Sequence, residues 1–451
     1  MASRRDQLQS HQFLAQRVIS ALVMRETDPA QSPLRRGIGA VFAGVMISVM
    51  VAAGFGVYGL LTKVGSDKWK TNNSVVIDKD SGASFVYQDG ELHPMLNYAS
   101  ALLATGAAPR AVFHESDRTL SSVPRGVLLG IAGAPDSLPA AAQVLGAPWT
   151  LCADGSATTL GLGAGPARAT PLGERGLLVG ASSTGSTYLI WHGTRYAVAA
   201  SVLPALFGAV TPTPAGAAWL DSIPEGPDIA PMTIPGSGAP SPAAPAYAIG
   251  ELLSTPVGTG GLQYWQVTAG GLAPVTELEM DVAVSQGASK PTQITTAAAT
   301  AIHRSTLPAQ SAADLLPPKP PTLAVTSGQR CAVFADADAA PTISLGGTAI
   351  PAGVPTGSRA PDGTALADRV AVPPGHVAVV RVMAAAGSAT SGYYLVTDLG
   401  IRDAVASDDV LKMLGYPPSA AVAMPAGLVQ LIPAGPALDP TIATTPVTGG
   451  G

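Results

Sequence analysis

The longest apolar run of the chain covers residues 37–62, "GIGAVFAGVMISVMVAAGFGVYGLLT", and contains no charged residue between Arg36 and Lys63. As a helix it would measure about 39 Å, more than the ~30 Å of a bilayer core. The run therefore predicts one transmembrane helix. A cleaved signal peptide is the alternative, with Val51-Ala52-Ala53 as a small-residue cleavage site. The 36 residues before the run are too long for an ordinary charged n-region and favour an uncleaved anchor.

A second apolar pattern precedes the span. Residues 4–25, "RRDQLQSHQFLAQRVISALVMR", carry apolar groups at helical spacing through Leu14, Val18 and Leu22, and the pattern stops at Asp28-Pro29. This predicts a short amphipathic helix with basic ends. Because such a helix cannot bury its apolar face alone, it must lie on the membrane surface or dock on a partner. Both alternatives stay open, and the three named residues are the predicted docking residues.

Small residues recur every fourth position within the span, at Ala40, Gly44, Ser48, Ala52 and Gly56. Small residues let transmembrane helices approach closely, so the stripe predicts packing against a neighbouring helix. The alternative is that an Ala/Gly-rich segment produces such a stripe by chance.

After the span, a strand-like pattern recurs. Stretches from Phe85, Tyr188, Tyr264 and Tyr394 each place a β-rich run before a glycine and Pro or Ala four positions after it. The predicted turn glycines are Gly90, Gly193, Gly270 and Gly400. We interpret each copy as a strand, a glycine turn and a helix start, which makes His93 a helix-start residue rather than a catalytic one. The segments from Pro214 and Pro425 are further counterparts in the second and fourth copies.

Composition supports a turn-rich α+β fold. Of 451 residues only 12% are charged and 5% aromatic, whereas 51 are Gly and 41 Pro. Pro-rich stretches from Ile234 and Leu315 read as connectors without packed cores. The predicted organisation is an arm (1–36), a transmembrane helix (37–62), a membrane-proximal segment with the first repeat (63–140), a central β-rich region with further repeats (141–432) and an extended Pro/Gly/Thr-rich tail (433–451).

Charge alone does not orient the chain. The net charge is +3 before the span and −8 after it, but close to the membrane four basic residues stand on each side, so the positive-inside rule gives a tie. The two cysteines, Cys152 and Cys331, both follow the span. An even cysteine count favours an oxidising compartment where they could pair, and two buried thiols are the alternative. We expect residues 1–36 in the cytoplasm and the rest outside.

No catalytic, cofactor or metal site is predicted. The six histidines lack metal-ligand spacing, and the sequence has no HExxH, CxxC, GxSxG or GxxxxGK[ST] motif. Glu277, Glu279 and Asp281 alternate, which we interpret as a solvated face of a strand or turn.

Several segments together resemble a known family. The arm "RRDQLQSHQFLAQRVISALVMRETDP", the double arginine before the span, "LHPMLNYASALL", "GIAGAPDSLP" and "WTLCADG" are similar to EccB, the membrane-complex component of the ESX, or type VII, secretion system of mycobacteria and related actinobacteria. The resemblance is strongest before Pro227.

The resemblance implies a structural subunit of the inner-membrane translocation complex, with a periplasmic domain of repeated α+β units held by a disulfide between Cys152 and Cys331. It implies assembly with other EccB copies, the FtsK/SpoIIIE-type ATPase EccC, EccD, EccE and the mycosin protease. The negative net charge and scattered arginines after the span predict no nucleic-acid partner. Two alternatives stay open: an ATP-hydrolysing subunit, as the family is described, or an anchored cell-wall-binding protein.

Overall fold

The computed structural model describes residues 3–25, 33–62, 67–106, 111–258, 260–307, 316–326 and 328–447. The chain divides into two compact parts, Met1–Lys70 and Thr71–Gly451, and we refer to the second as the large domain. The first part contains two long helices, α1 (Arg4–Met24) and α2 (Pro33–Thr62). Within α2, Gly37–Gly59 is long and apolar enough to cross a membrane, as the apolar run predicts. The Asp28-Pro29 stop lies outside the described residues.

The large domain contains four repeats that share one order of elements. Each has three antiparallel strands, a helix, a fourth strand parallel to the first, and a second helix. The first repeat comprises β1 (Ser74–Asp78), β2 (Ser84–Gln88), β3 (Glu91–Pro94), α3 (Tyr98–Ala104), β4 (Val112–Glu115) and α4 (Asp117–Leu120). After two further strands and a short third one, described below, the second comprises β8 (Leu177–Ala181), β9 (Thr187–Trp191), β10 (Thr194–Val198), α5 (Leu203–Phe207), β11 (Thr213–Ala215) and α6 (Ala217–Asp221).

The third and fourth repeats follow the same plan. The third comprises β14 (Leu252–Pro256), β15 (Leu262–Thr268), β16 (Gly271–Val275), α7 (Glu277–Ser285), β17 (Thr292–Gln293) and α8 (Thr296–Thr300). The fourth comprises β22 (Val377–Met383), β23 (Thr390–Thr397), β24 (Arg402–Val405), α9 (Asp408–Met413), β25 (Val422–Pro425) and α10 (Ala426–Val429). The prediction of four repeats is therefore matched by four topologically equivalent sheets.

The residues directly after each turn glycine form a strand, not the start of a helix. Asp89 and Gly90 both have positive φ, 50° and 88°. Two such residues make the tight turn that matches the twist of paired strands, so residues 91–94 return alongside β2, with Val86 opposite His93. The predicted helix begins only at Tyr98. His93 is therefore a strand residue, and its assignment to a helix start was wrong.

The third turn departs from the predicted pattern in a second way. Gly193 and Gly400 have positive φ, 72° and 71°, but in the third copy the residue with positive φ is Gly271 (126°) rather than Gly270. Gly271 also starts β16, and the backbone carbonyl of His303 lies where its Cβ would stand. The close approach of a neighbouring segment, as well as the turn, therefore requires glycine there.

A seven-stranded sheet occupies the centre of the large domain. Two separate insertions between repeats build it: β5 (Trp149–Asp154), β6 (Ala157–Leu162) and β7 (Thr170–Pro171), then β18 (Arg330–Phe334), β19 (Thr342–Leu345), β20 (Val354–Pro355) and β21 (Arg369–Ala371). The strand order is β20-β21-β6-β5-β18-β19-β7. Strands β5 and β18 are paired with Cys331 opposite Cys152. The sheet therefore joins chain segments about 180 residues apart.

The hydrophobic cores lie between these sheets. The largest core joins the central sheet to the second and fourth repeats and includes Trp149, Trp219 and Val380, all fully buried. A second core joins the first and fourth repeats through Leu103 and Leu395, and a third packs α7 against the second repeat. Repeats that are distant in sequence thus pack against each other through shared hydrophobic cores.

Two segments that were predicted to be extended or coreless are part of the fold. Residues from Pro433 form β26 (Ala434–Leu438), which pairs with β24, and α11 (Pro440–Ala443). The connector after Ile234 forms β12 (Pro240–Ser241) and β13 (Ala244–Ala248), with Ile234 and Ala244 buried. Both expectations were wrong because composition reports local flexibility, whereas these strands are held by distant partners. Short 3-10 helices complete the fold at Asp67–Trp69, Ala141–Gln143 and Pro418–Ala420.

Candidate functional site

The arm helix α1 exposes the apolar side chains that were predicted to dock. Leu14, Val18 and Leu22 lie one turn apart and are each more than half exposed. Phe13 and Ile19 lie beside them and are also exposed. Burying a Leu or Val side chain contributes about 1.5–3 kcal/mol of favourable free energy. Covering the apolar face of α1 with another apolar surface would therefore stabilise the helix. The docking role of these residues stays a prediction.

The span helix α2 exposes its side chains in the same way. The stripe from Ala40 through Gly44 and Ser48 to Ala52 and Gly56 lies within α2, one turn between successive members. Apart from the chain neighbours and the nearby backbone of α2 itself, no atom of the described residues lies within 4 Å of a Cβ built on Gly44 or Gly56. The stripe therefore leaves room for another helix, and its packing role likewise stays a prediction.

The structure joins Cys152 and Cys331 in a disulfide, as the resemblance implied. Next to it, Arg330 of β18 is almost fully buried and reaches from the central sheet to the second repeat. Its Nη2 donates to the carbonyl oxygen of Gly155 at 2.6 Å and to that of Pro214, and the guanidinium lies 5.6 Å from the ring centroid of Trp219. Burial lowers the pKa of Arg330. The disulfide thus joins the two insertions to each other, and Arg330 joins them to the second repeat.

An arginine lies over an aromatic ring of the second strand in all four repeats. The distances from guanidinium carbon to ring centroid are 4.4 Å for Arg125 over Phe85, 5.6 Å for Arg195 over Tyr188, 3.8 Å for Arg304 over Trp265 and 5.0 Å for Arg402 over Tyr394. Such contacts are worth about 0.5–2 kcal/mol depending on exposure. The recurring sequence pattern did not predict this feature because the arginine changes strand. It stands on the third strand in the second and fourth repeats, and on the segment paired with that strand in the first and third.

The segment that follows the second helix lies beside the third strand in each repeat, and in the first, second and fourth repeats its glycine accommodates a side chain of that strand. His93 lies against Gly126, Tyr196 against Gly226 and Asp403 against Gly435. The signal that could have found this contact is Pro-x-Gly, which recurs from Pro124, Pro224 and Pro433. His93 thus has a packing role, and its Nδ1 lies 3.2 Å from the carbonyl oxygen of Val127.

The acidic residues of the third repeat lie on a helix, not on a strand or turn face. Thr276 caps α7 and accepts a hydrogen bond from the amide of Glu279, whose carboxylate in turn accepts from the Thr276 amide at 2.7 Å. This reciprocal arrangement uses Glu279 to stabilise the helix start. Burial, and then the nearby Glu277, raise the pKa of Asp281. In the described residues, no group of three or more His, Cys, Asp or Glu side chains could hold a metal ion.

The fold therefore defines a class. Its described residues contain one apolar helix able to span a membrane, an N-terminal helix with exposed apolar side chains, and a disulfide-bonded domain of four α+β repeats around a central sheet. The family model described as "Type VII secretion system ESX-1, transport TM domain B" matches residues 1–447. The chain belongs to this EccB family.

Curated relatives and solved structures agree with this assignment. The chain is 30% identical to the ESX-2 secretion system ATPase EccB2 of Mycobacterium tuberculosis, over 97% of this chain and 93% of the relative. It is 28% identical to the ESX-3 secretion system ATPase EccB3 of Mycolicibacterium smegmatis, over 96% and 89%.

Two solved structures share its fold at 25% identity. A chain in the structure of an intact ESX-5 inner membrane complex has a TM-score of 0.64, covering 100% of this chain and 96% of that one. A chain of the EccB3 dimer from the ESX-3 core complex has a TM-score of 0.65, covering 82% and 99%.

Proposed function

We propose that this chain is a structural subunit of an ESX-type inner-membrane complex that exports proteins. The observation that carries the proposal is the full-length likeness to a chain solved inside an intact ESX-5 inner membrane complex. The likeness covers the two helices as well as the large domain, so it extends to the membrane-bound part of the molecule. The partners are other subunits of such a complex and further copies of this chain.

The proposed orientation places α1 in the cytoplasm and the large domain outside. One candidate span lies between them. A disulfide persists in oxidising compartments and is rare in the cytoplasm, and the Cys152–Cys331 pair lies after the span. A relative was solved as a periplasmic assembly of the ESX-5 complex, with 84% of this chain covered. These observations favour the same orientation.

In this arrangement the two helices provide the contacts to the membrane and to partners. The exposed apolar side chains of α1 dock on a cytoplasmic partner, and the small-residue stripe of α2 admits a neighbouring helix. The repeats and the central sheet supply a rigid body outside, because their cores are closed by their own side chains.

The test is to extract a tagged full-length copy from its native membrane in mild detergent, separate it on a native gel and identify co-migrating proteins by mass spectrometry. We expect a complex of megadalton scale that contains an FtsK/SpoIIIE-type ATPase. Migration as a free monomer or small oligomer, in a sample where that ATPase is itself assembled, would contradict the proposal.

Nucleotide hydrolysis is the second candidate, because the relatives' names include the word ATPase. The sequence contains no GxxxxGK[ST] phosphate loop, so we name no catalytic residue. Purified full-length protein that hydrolyses ATP, and loses that activity in a folded point variant, would support this candidate. Activity that tracks a contaminant across chromatography fractions would argue against it.

A further inference from the structure

Asp403 is a buried acid in the large domain. It lies on β24, opposite Leu395 of β23, and is 2% exposed. Among the described residues its Oδ1 has no hydrogen-bond partner. Leu395 belongs to the core shared by the first and fourth repeats. Because paired residues point to the same face of a sheet, Asp403 borders that core. Burying an ionised carboxylate in such a place costs much more free energy than burying a protonated carboxyl.

The oxygen of this acid lies directly against the C-terminal strand. Oδ1 of Asp403 occupies the place where a Cβ on Gly435 of β26 would stand. The equivalent positions in the first and second repeats carry His93 and Tyr196, each against its own glycine. Neither of those side chains is a carboxylic acid. Of these three repeats, the fourth is thus the one in which this side chain can ionise and place a negative charge against the segment that follows the second helix, here β26.

The segment that touches Asp403, residues 434–447, packs on the first repeat. Pro436 of β26 lies 4.0 Å from the position of a Cβ on Gly133. Leu438 at the end of β26 and Ala443 of α11 are fully buried in the same core as Leu103 of α3. The amide of Val447 donates to the carbonyl oxygen of Leu128 at 2.9 Å. A change at the β24–β26 pair is therefore transmitted to the contact between the fourth and first repeats.

Several of the other titratable groups around this core have partners of their own. The surrounding elements carry Tyr98, Tyr393, Asp408, Asp409, Lys412, Tyr416 and Asp439. Lys412 pairs with Asp409 at 2.9 Å, and Tyr416 donates to the carbonyl oxygen of Pro139 at 2.7 Å. The neighbouring Asp408 raises the pKa of the Tyr393 phenol. The Asp439 carboxylate accepts hydrogen bonds from the amides of Thr441 and Ile442 in α11. Arg402 stands next in β24, so it points to the opposite face, and donates to the carbonyl oxygen of Ile432.

We propose that Asp403 is a pH-sensitive latch, which keeps β26 and α11 docked on the first repeat while its carboxyl is protonated and loosens them when it ionises. Burial raises the pKa of Asp403 from 3.8 to about 7. The folded state therefore keeps a proton that the unfolded state has already lost. This contribution to stability is complete below about pH 4 and is lost as the pH rises towards about 7. The latch is closed in acid and loosened above neutrality.

Hydrogen–deuterium exchange of the full-length protein in detergent tests the latch. At pH 6 and pH 8, protection of the backbone amides of residues 434–443 is measured and corrected for the intrinsic rate of each amide. One carboxyl with a pKa of about 7 when docked predicts an opening constant about tenfold larger at pH 8. The amides of β5 and β18 in the central sheet should keep the same protection at both pH values.

Two variants separate Asp403 from other acids. Asp403→Asn should give residues 434–443 the same protection at both pH values, because the amide does not ionise. Asp136→Asn removes an exposed carboxyl of the neighbouring segment and should retain the wild-type tenfold change. If Asp403→Asn does not fold, Asp403→Ser takes its place. Equal protection of the wild type at both pH values, or an unchanged pH response in the folded Asp403 variant, would overturn the proposal.

Discussion

Apolar residues of the same types are exposed in the first part of the chain and buried in the large domain. In Met1–Lys70, Leu14 of α1 and Met46 of α2 are 62% and 58% exposed, whereas Leu103 and Leu395 of the large domain are fully buried. Since burial of apolar surface is the main favourable term in folding, the large domain supplies its own stability. The two helices depend on lipid or a partner for theirs. Mutations should therefore separate stability from assembly.

The largest effect on the large domain is expected from the disulfide. Replacing both Cys152 and Cys331 by Ala releases a link between residues 179 apart, for which the chain-entropy model gives a loss of up to about 5 kcal/mol in the free energy of unfolding. Denaturant unfolding of the variant measures this loss. Retention in the membrane during alkaline extraction should be unchanged, because α2 does not depend on the bond. An unchanged unfolding midpoint would contradict the prediction.

A smaller loss should follow from opening the core between the first and fourth repeats. Leu395→Ala removes a fully buried side chain of this core and should lower the free energy of unfolding by about 2–5 kcal/mol. Leu399→Ala, four residues along the chain and 60% exposed, is the matched control and should change it by less than about 0.5 kcal/mol. Equal effects of the two changes in denaturant unfolding would show that this core does not hold the repeats together.

The arginine–aromatic contacts should matter least to stability. Arg304 is exposed and lies 3.8 Å from the ring centroid of Trp265, so Arg304→Ala should lower the free energy of unfolding by about 0.5–1 kcal/mol. Lys290→Ala, also exposed in the third repeat, should leave the midpoint within error. A loss for Lys290→Ala as large as that for Arg304→Ala would assign the effect to general surface charge.

The sequence predicts best where the signal is local. The apolar run of α2 and the helical spacing in α1 each lie within one continuous segment, and both helices form as expected. In the first copy the strand after the turn glycine was missed because a proline at a strand end and a proline at a helix start give the same pattern; Pro94 ends β3. Only pairing with a neighbouring strand distinguishes the two.

The sequence predicts least well the segments whose structure depends on contacts with residues far away in the chain. β26 looks like a flexible tail by composition, yet β24 and the first repeat hold it in place. The burial of Asp403 depends on Gly435, 32 residues further along, and the residue alone looks like an ordinary polar position in a strand. The Pro-x-Gly recurrence was visible in the sequence, but its meaning required knowing which strand lies beside it.

The central claim is that the exposed face of α1 serves assembly, and one comparison tests it most directly. Leu14, Val18 and Leu22 are changed together to Gln, and the control changes Gln9, Gln12 and Gln16, which are also exposed on α1, together to Ala. The fraction of full-length protein in the large native complex is then measured beside the unfolding midpoint of the large domain. We predict that the first variant leaves the complex with an unchanged midpoint, while the control stays assembled. Full assembly of the Leu14/Val18/Leu22 variant would contradict this account.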